Sequence, residues 1–147
     1  MLNLIYFSNV SENTHRYITR LAEETLEHIN IQRIPINSNN PSQLDTTNPY
    51  ILLTPSYGNA RNEHVPHQVK KFLTNPVNRQ HIVGVIGTGN LNFGAEYAAA
   101  ATMISRKLNT PVLQKLELSG THKDIHTTQK LLQLTPHQIQ TIAQKTG

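Results

Sequence analysis

The stretch LNLIYFSNVSENTHR, Leu2 to Arg16, holds a strand, a polar loop and the start of a helix, and its reading frames the rest of the chain. Leu2 to Phe7 is a short, nearly continuous apolar run, the pattern of a strand buried on both faces of a parallel sheet. Beyond the loop, Ile18, Leu21, Ala22, Thr25, Leu26 and Ile29 recur at helical spacing and predict a helix from Thr14 to His28. The unit then recurs. Ile31–Ile36 reads as a second strand, Asn37–Asn48 as a polar connection and Tyr50–Thr54 as a third strand. Val65, Val69, Phe72 and Leu73 mark an amphipathic helix, and His81–Ile86 a fourth strand. Phe93, Tyr97, Ala100, Ala101, Ile104 and Leu108 form the inner face of a further helix, and Pro111–Leu118 is a fifth strand. Thr135–Lys145 closes the chain as a helix with Thr135 as N-cap and Pro136 at its first position. Strands alternating with helices predict an α/β fold, a doubly wound five-stranded parallel sheet with helices on both faces.

The 147 residues suit a single domain over 1–147, burying roughly two-thirds of the unfolded chain's surface. Lys and Arg exceed Asp and Glu by 13 to 9, for a net charge of +4 and a pI near 9.5. The chain has no run of Lys or Arg and few aromatics to stack bases, so nucleic acid is disfavoured as a partner. The absence of cysteine excludes disulfides, thiolate nucleophiles and Cys-held metals, so redox work requires a borrowed cofactor. No apolar run approaches the roughly 20 residues of a membrane span, and no leader pattern precedes the first strand. The expected setting is the cytoplasm, without a membrane partner.

In an open parallel sheet with right-handed crossovers, the loops that leave the carboxyl ends of the strands share one edge, where ligands sit at the reversal of strand order. Three unusual loops fall there: SNVSENT (Ser8–Thr14), TPSYGNARNEH (Thr54–His64) and GTGNLNFG (Gly87–Gly94). SNVSENT reads either as a plain helix cap or as an anion cradle, in which the free N–H groups and dipole of the helix are joined by Ser8, Ser11, Asn13 and Thr14. It lacks the motifs G-x-x-x-x-G-K-[ST] and G-x-G-x-x-G, so a terminal monophosphate suits it better than a triphosphate or a dinucleotide. The second loop is either an ordinary turn or, through Tyr57 beside Gly58, one wall of a slot for a flat ring. The third is a glycine-permitted turn, or a backbone that lets a ligand come close. Together they describe a phosphate plus an aromatic heterocycle. His64 and His67 read as surface residues rather than metal ligands, and no Asp, Glu and His set has metal spacing. An acidic pair after the first strand and a cysteine nucleophile are both missing, which removes response-regulator and phosphatase readings.

The whole chain resembles the NrdI family of flavodoxin-like proteins. The resemblance rests on YFSNVSENTHR, on Thr54–Gly58, on Val65–Val69, on GVIGTGNLNFGAEY from Gly84 to Tyr97, on Ile104–Lys107 and on LELSGT from Leu116 to Thr121. Flavodoxins usually carry Gly where Glu12 stands, a departure that also looks NrdI-like. The resemblance implies non-covalent FMN. Its phosphate would lie among Ser8, Asn9, Ser11, Asn13 and Thr14 with the amides around Glu12. Its ring would lie between Pro55, Ser56, Tyr57, Gly58 and Asn59 on one side and Thr88, Gly89, Asn90, Asn92, Phe93 and Gly94 on the other. It implies a role too: reduced FMN, charged by an unidentified reductant, passes an electron to O₂. The superoxide or peroxide formed serves the small subunit of class Ib ribonucleotide reductase in assembling its dimanganese-tyrosyl radical. Arg61, His64 and His67, opposed mainly by Glu63 and Glu12, either ease formation of the anionic, fully reduced flavin or point to solvent and are screened. A generic electron-carrying flavodoxin and a flavin-free adaptor on the same scaffold are the alternatives.

Overall fold

The computed structural model describes residues 1–37, 44–57, 64–89, 98–117 and 119–146. The elements run β1 (Asn3–Tyr6), α1 (Asn13–Glu24), β2 (Ile31–Arg33), β3 (Tyr50–Pro55), α2 (His67–Thr74), α3 (Pro76–Arg79), β4 (Ile82–Gly89), α4 (Ala99–Leu108), β5 (Val112–Glu117), α5 (His122–Leu132) and α6 (Pro136–Thr146). All strand pairs are parallel, in the order β2-β1-β3-β4-β5. The chain steps outward from β1 to β2, then crosses back to β3 on the other side, so strand order reverses between β1 and β3.

Period-2 alternation along the strands divides the core into two layers. Leu4, Tyr6, Ile51, Leu53 and Ile86 pack with Tyr17, Ile18 and Leu21 of α1, Ile125 and Leu132 of α5, and Ile139 of α6. Ile5, Phe7, Tyr50, Leu52 and Val85 pack on the opposite face with Val69, Phe72 and Leu73 of α2 and Ala100, Ala101 and Ile104 of α4. Helices therefore cover both faces of a five-stranded parallel sheet, as the alternation of elements predicts.

Several boundaries differ from the sequence reading. α1 stops at Glu24 rather than His28: Thr25 is extended, and Leu26 is fully exposed instead of facing the core. Two side-chain bonds finish the helix early. Thr25 Oγ1 donates to Leu21 O at 2.6 Å, and Gln129 Nε2 of α5 donates to Glu24 O at 3.1 Å. Tyr17, absent from the expected face, is fully buried. β2 is cut to three residues: Ile34 N–H still reaches Tyr6 O at 2.8 Å, but Pro35 has no N–H with which to continue the ladder. β4 runs three residues past Ile86, with Gly87, Thr88 and Gly89 paired to Lys115, Leu116 and Glu117.

α5 has no counterpart in the sequence reading, because its inner face is partly polar. A Thr121–Asp124 capping box opens it. Thr128 then bonds Gln114 Oε1 at 2.7 Å, and Tyr17 Oη donates to Asp124 O at 2.9 Å. Burial pushes the Tyr17 phenol up to about 12, so it stays protonated and keeps donating. Leu2 N–H bonds Leu132 O at 2.8 Å, tying the end of α5 to the start of β1. Thr135 caps α6 as expected, in a reciprocal pair with Gln138.

Gly87 sets how closely α4 approaches the sheet. A Cβ there would lie 2.6 Å from Ala101 Cβ and 3.2 Å from Ala98 Cβ, neither of which can swing aside. Gly87→Ala is therefore expected to lift α4 off β4 and destabilise the protein by about 1–3 kcal/mol. Urea unfolding with an unchanged m-value is the check.

Candidate functional site

β1 ends at Tyr6 and passes into Phe7, both buried, and the chain leaves the sheet through Ser8, which is also buried. Burial forces the Ser8 hydroxyl to find a partner, and it accepts the His15 N–H of α1 at 3.0 Å. Asn9 organises the tip of the loop: its Oδ1 accepts the Ser11 N–H at 3.1 Å and the Ser11 hydroxyl at 2.5 Å, while its carbonyl accepts the Glu12 N–H at 3.0 Å. Glu12 then turns the chain into the helix with φ 63 and ψ 13, a left-handed conformation that favours glycine. The family departure at this position is thus a glutamate in a glycine's conformation.

Of the first donors of α1, the N–H groups of Asn13 and Thr14 have no acceptor among the described residues. Asn13 Oδ1 accepts from Arg16 Nη1 at 2.8 Å. Thr14 is buried and its hydroxyl lies 3.4 Å from that of Thr88 at the end of β4, which joins the first loop to the third. Thr88 O in turn accepts the Ser56 N–H at 3.0 Å. Three strand ends that the sequence reading placed on one edge therefore meet through Thr14, Thr88 and Ser56.

Ser56 has a second duty that the sequence did not suggest. Its Oγ accepts the Ala100 N–H at 2.8 Å, capping α4 from just beyond the end of β3 because Ala98, at φ 54, has no side-chain oxygen for the task. Among the described residues the hydroxyl hydrogen has no acceptor. Pro55 is buried in β3, in register with Thr88. Tyr57 is half-buried, which raises its phenol pKa through desolvation. Its N–H bonds His64 O at 2.8 Å, and His64 Nδ1–H donates to Tyr57 O at 2.7 Å. His64 is therefore buried, at 5% exposure, and not the surface residue expected from sequence; its ring closes the base of the Tyr57–His64 connection. His67 is exposed at the start of α2. Gly58, Asn59, Asn90, Asn92, Phe93 and Gly94 lie outside the described residues, as do Arg61 and Glu63. Among the described residues no group of three or more His, Asp or Glu is placed to hold a metal ion, and no helix is long and apolar enough to cross a membrane.

The sequence reading missed Arg33. From the end of β2 it donates Nη2 to Glu12 Oε1 at 2.5 Å and to Ser8 O at 3.4 Å, and its guanidinium lies 5.8 Å over the Tyr6 ring. Tyr6 Oη is itself 2.7 Å from His15 Nδ1. The hydrogen bond from Arg33, aided by its charge, holds the Glu12 carboxyl below the usual carboxylate range. The signal was available: β2 lies parallel beside β1, so its carboxyl end shares the edge of the first loop.

A parallel sheet in the order β2-β1-β3-β4-β5, with a hydroxyl-rich loop opening a helix beside its reversal, defines a flavodoxin-like α/β protein. Oxidised flavodoxin 1 of Bacillus cereus superposes with a TM-score of 0.58 at 19% identity, covering 91% of this chain and 99% of that one. The chain belongs to the NrdI flavodoxin-like family, whose model matches residues 5–130. Protein NrdI of Erwinia tasmaniensis is 47% identical over 126 residues, 85% of this chain and 87% of that protein. Protein NrdI of Bifidobacterium animalis subsp. lactis is 42% identical over 127 residues, 86% and 89% of the two chains.

Two variants test the site's construction. Ser56→Ala strands the buried-side Ala100 N–H and is expected to cost the flavin-free protein about 1 kcal/mol in chemical unfolding. Glu12→Gln removes a carboxylate whose folded-state pKa lies below its ordinary 4.5. Such a group stabilises fully above the ordinary value and stops doing so as pH falls through the lowered one. The thermal midpoint of Glu12→Gln should accordingly lie below that of the parent at neutral pH, the gap closing on acidification.

Proposed function

We propose that this chain is a single FMN-binding domain over residues 1–147 that works in the cytoplasm as a redox accessory protein. In its reduced state it would supply superoxide or peroxide to the small subunit of class Ib ribonucleotide reductase, for assembly of the dimanganese-tyrosyl radical. One observation carries the binding half of this reading. The Asn13 and Thr14 N–H groups stand without an acceptor among the described residues, at the positive end of α1 and beside the strand-order reversal, with the buried hydroxyls of Thr14 and Thr88 adjoining them. A phosphate monoester supplies the acceptors that those donors lack. The residues present fit the group.

FMN, when bound, supplies the one-electron chemistry toward O₂, and the metal belongs to the partner. The chain's own residues have humbler tasks. Ser8 fixes the angle at which β1 turns into α1, Asn9 and Ser11 brace the loop tip, and Thr14 offers N–H and hydroxyl groups to the phosphate. Pro55, Ser56 and Tyr57 on one side and Thr88 and Gly89 on the other would border the ring, and the same reading assigns to it Gly58, Asn59, Asn90, Asn92, Phe93 and Gly94, which lie outside the described residues. His64, by holding Tyr57 O, keeps that wall in place. Membership of the NrdI family supports the reductase subunit as partner, and an external flavin reductant is required.

The apoprotein is expected to take up one FMN per chain with a shift of the flavin absorbance. Reduced anaerobically and then mixed with O₂ and the manganese-loaded small subunit, it should generate a tyrosyl radical visible by electron paramagnetic resonance. Uptake of FMN without radical formation would favour the electron-carrier alternative, and a protein that stays colourless in excess FMN would be the adaptor.

A further inference from the structure

The loop that receives the phosphate in the proposed function also carries a carboxylate. Glu12 sits at the N-cap of α1, next in sequence to the Asn13 N–H that has no acceptor among the described residues, and a bare carboxylate there would oppose a dianion approaching the same turn. Arg33 answers that charge. Its two guanidinium nitrogens reach both carboxylate oxygens, Nη2 to Oε1 at 2.5 Å and Nη1 to Oε2 at 3.5 Å. The guanidinium is also held from two other directions, by Ser8 O and by the Tyr6 ring. Arg16, the other cation close by in sequence, is engaged with Asn13 Oδ1 at 2.8 Å.

We propose that Arg33 is a positioning residue for phosphate: by binding the Glu12 carboxylate against the end of β2, it neutralises the one negative charge in the loop and keeps the head of α1 attractive to an anion. The inference rests on the reading of this loop as the phosphate site. It assigns selectivity between phosphorylated and unphosphorylated flavin to a residue outside the loop. A merely structural role, in which the ion pair pins the loop to β2, predicts something different: loss of Arg33 would weaken every flavin alike.

Titration of the apoprotein with FMN and with riboflavin separates the two. Arg33→Met is expected to weaken FMN about tenfold and riboflavin less than about twofold, the difference shrinking as salt screens the exposed carboxylate. Adding Glu12→Gln to Arg33→Met removes the stranded charge and should return FMN affinity to within about threefold of the parent. Equal losses for both ligands, or no recovery in the double variant, overturn the proposal. Should Arg33→Met not fold, Glu12→Gln alone decides. It leaves Arg33 as an unpaired cation, so FMN should bind more tightly with riboflavin unchanged, and weaker FMN binding overturns the proposal. Failure of the parent to bind FMN at all would instead sink the reading of the site itself.

Discussion

β1 is enclosed on every side. It pairs with β2 on one edge and β3 on the other, and both its faces are covered by helices. A strand so placed releases its chain only at its carboxyl end, and polar groups emerging there start out among apolar neighbours, where each must be partnered. Ser8 and Thr14 are the result: buried hydroxyls at the mouth of the core, one committed to the helix it starts and the other facing Thr88. The loop between them is short, so its amides and those of the first helical turn crowd into one small volume. The two N–H groups left without an acceptor among the described residues at this point follow from how a central parallel strand has to end.

The sheet edge is assembled by backbone and hydroxyl bonds rather than by charge. Thr88 connects to Thr14 through side chains and to Ser56 through its carbonyl, and Ser56 continues to α4. The one ion pair in the first loop, Arg33 with Glu12, is internally compensated. Charge is otherwise segregated by layer: α2, α3 and α4 contain no Asp or Glu, whereas α1 carries Glu23 and Glu24 and α5 carries Asp124. The mild overall positive charge is therefore concentrated on one helical face.

The strands were legible because burial on both faces leaves an unbroken apolar run, as in Leu2–Phe7 and Tyr50–Leu53. The convergence of three loops was legible because topology alone dictates it. What escaped the sequence was decided by contacts between distant segments. α5 presents Thr128 to the interior, acceptable only because Tyr17 and Gln114 meet it there. α1 ends early because Gln129 takes its last carbonyl. Helical periodicity carried past Glu24 to Leu26 because the apolar spacing persists where the helix does not. His64 reads as a loop histidine until Tyr57 O is known to lie beside its ring. Arg33 is illegible for a different reason: an arginine ending a short edge strand looks ordinary until Glu12 is known to lie beside it.

The serine just beyond β3 that caps α4 has one hydroxyl oxygen, which accepts the Ala100 N–H and carries a hydrogen of its own. A guest drawing that oxygen toward itself would loosen the opening turn of α4, and a guest accepting the hydroxyl's hydrogen would tighten it by sharpening the oxygen's lone pairs toward Ala100. Under the proposed function, the direction of a single O–H would thus act as a small lever between an occupant of the rim and the helix standing behind it.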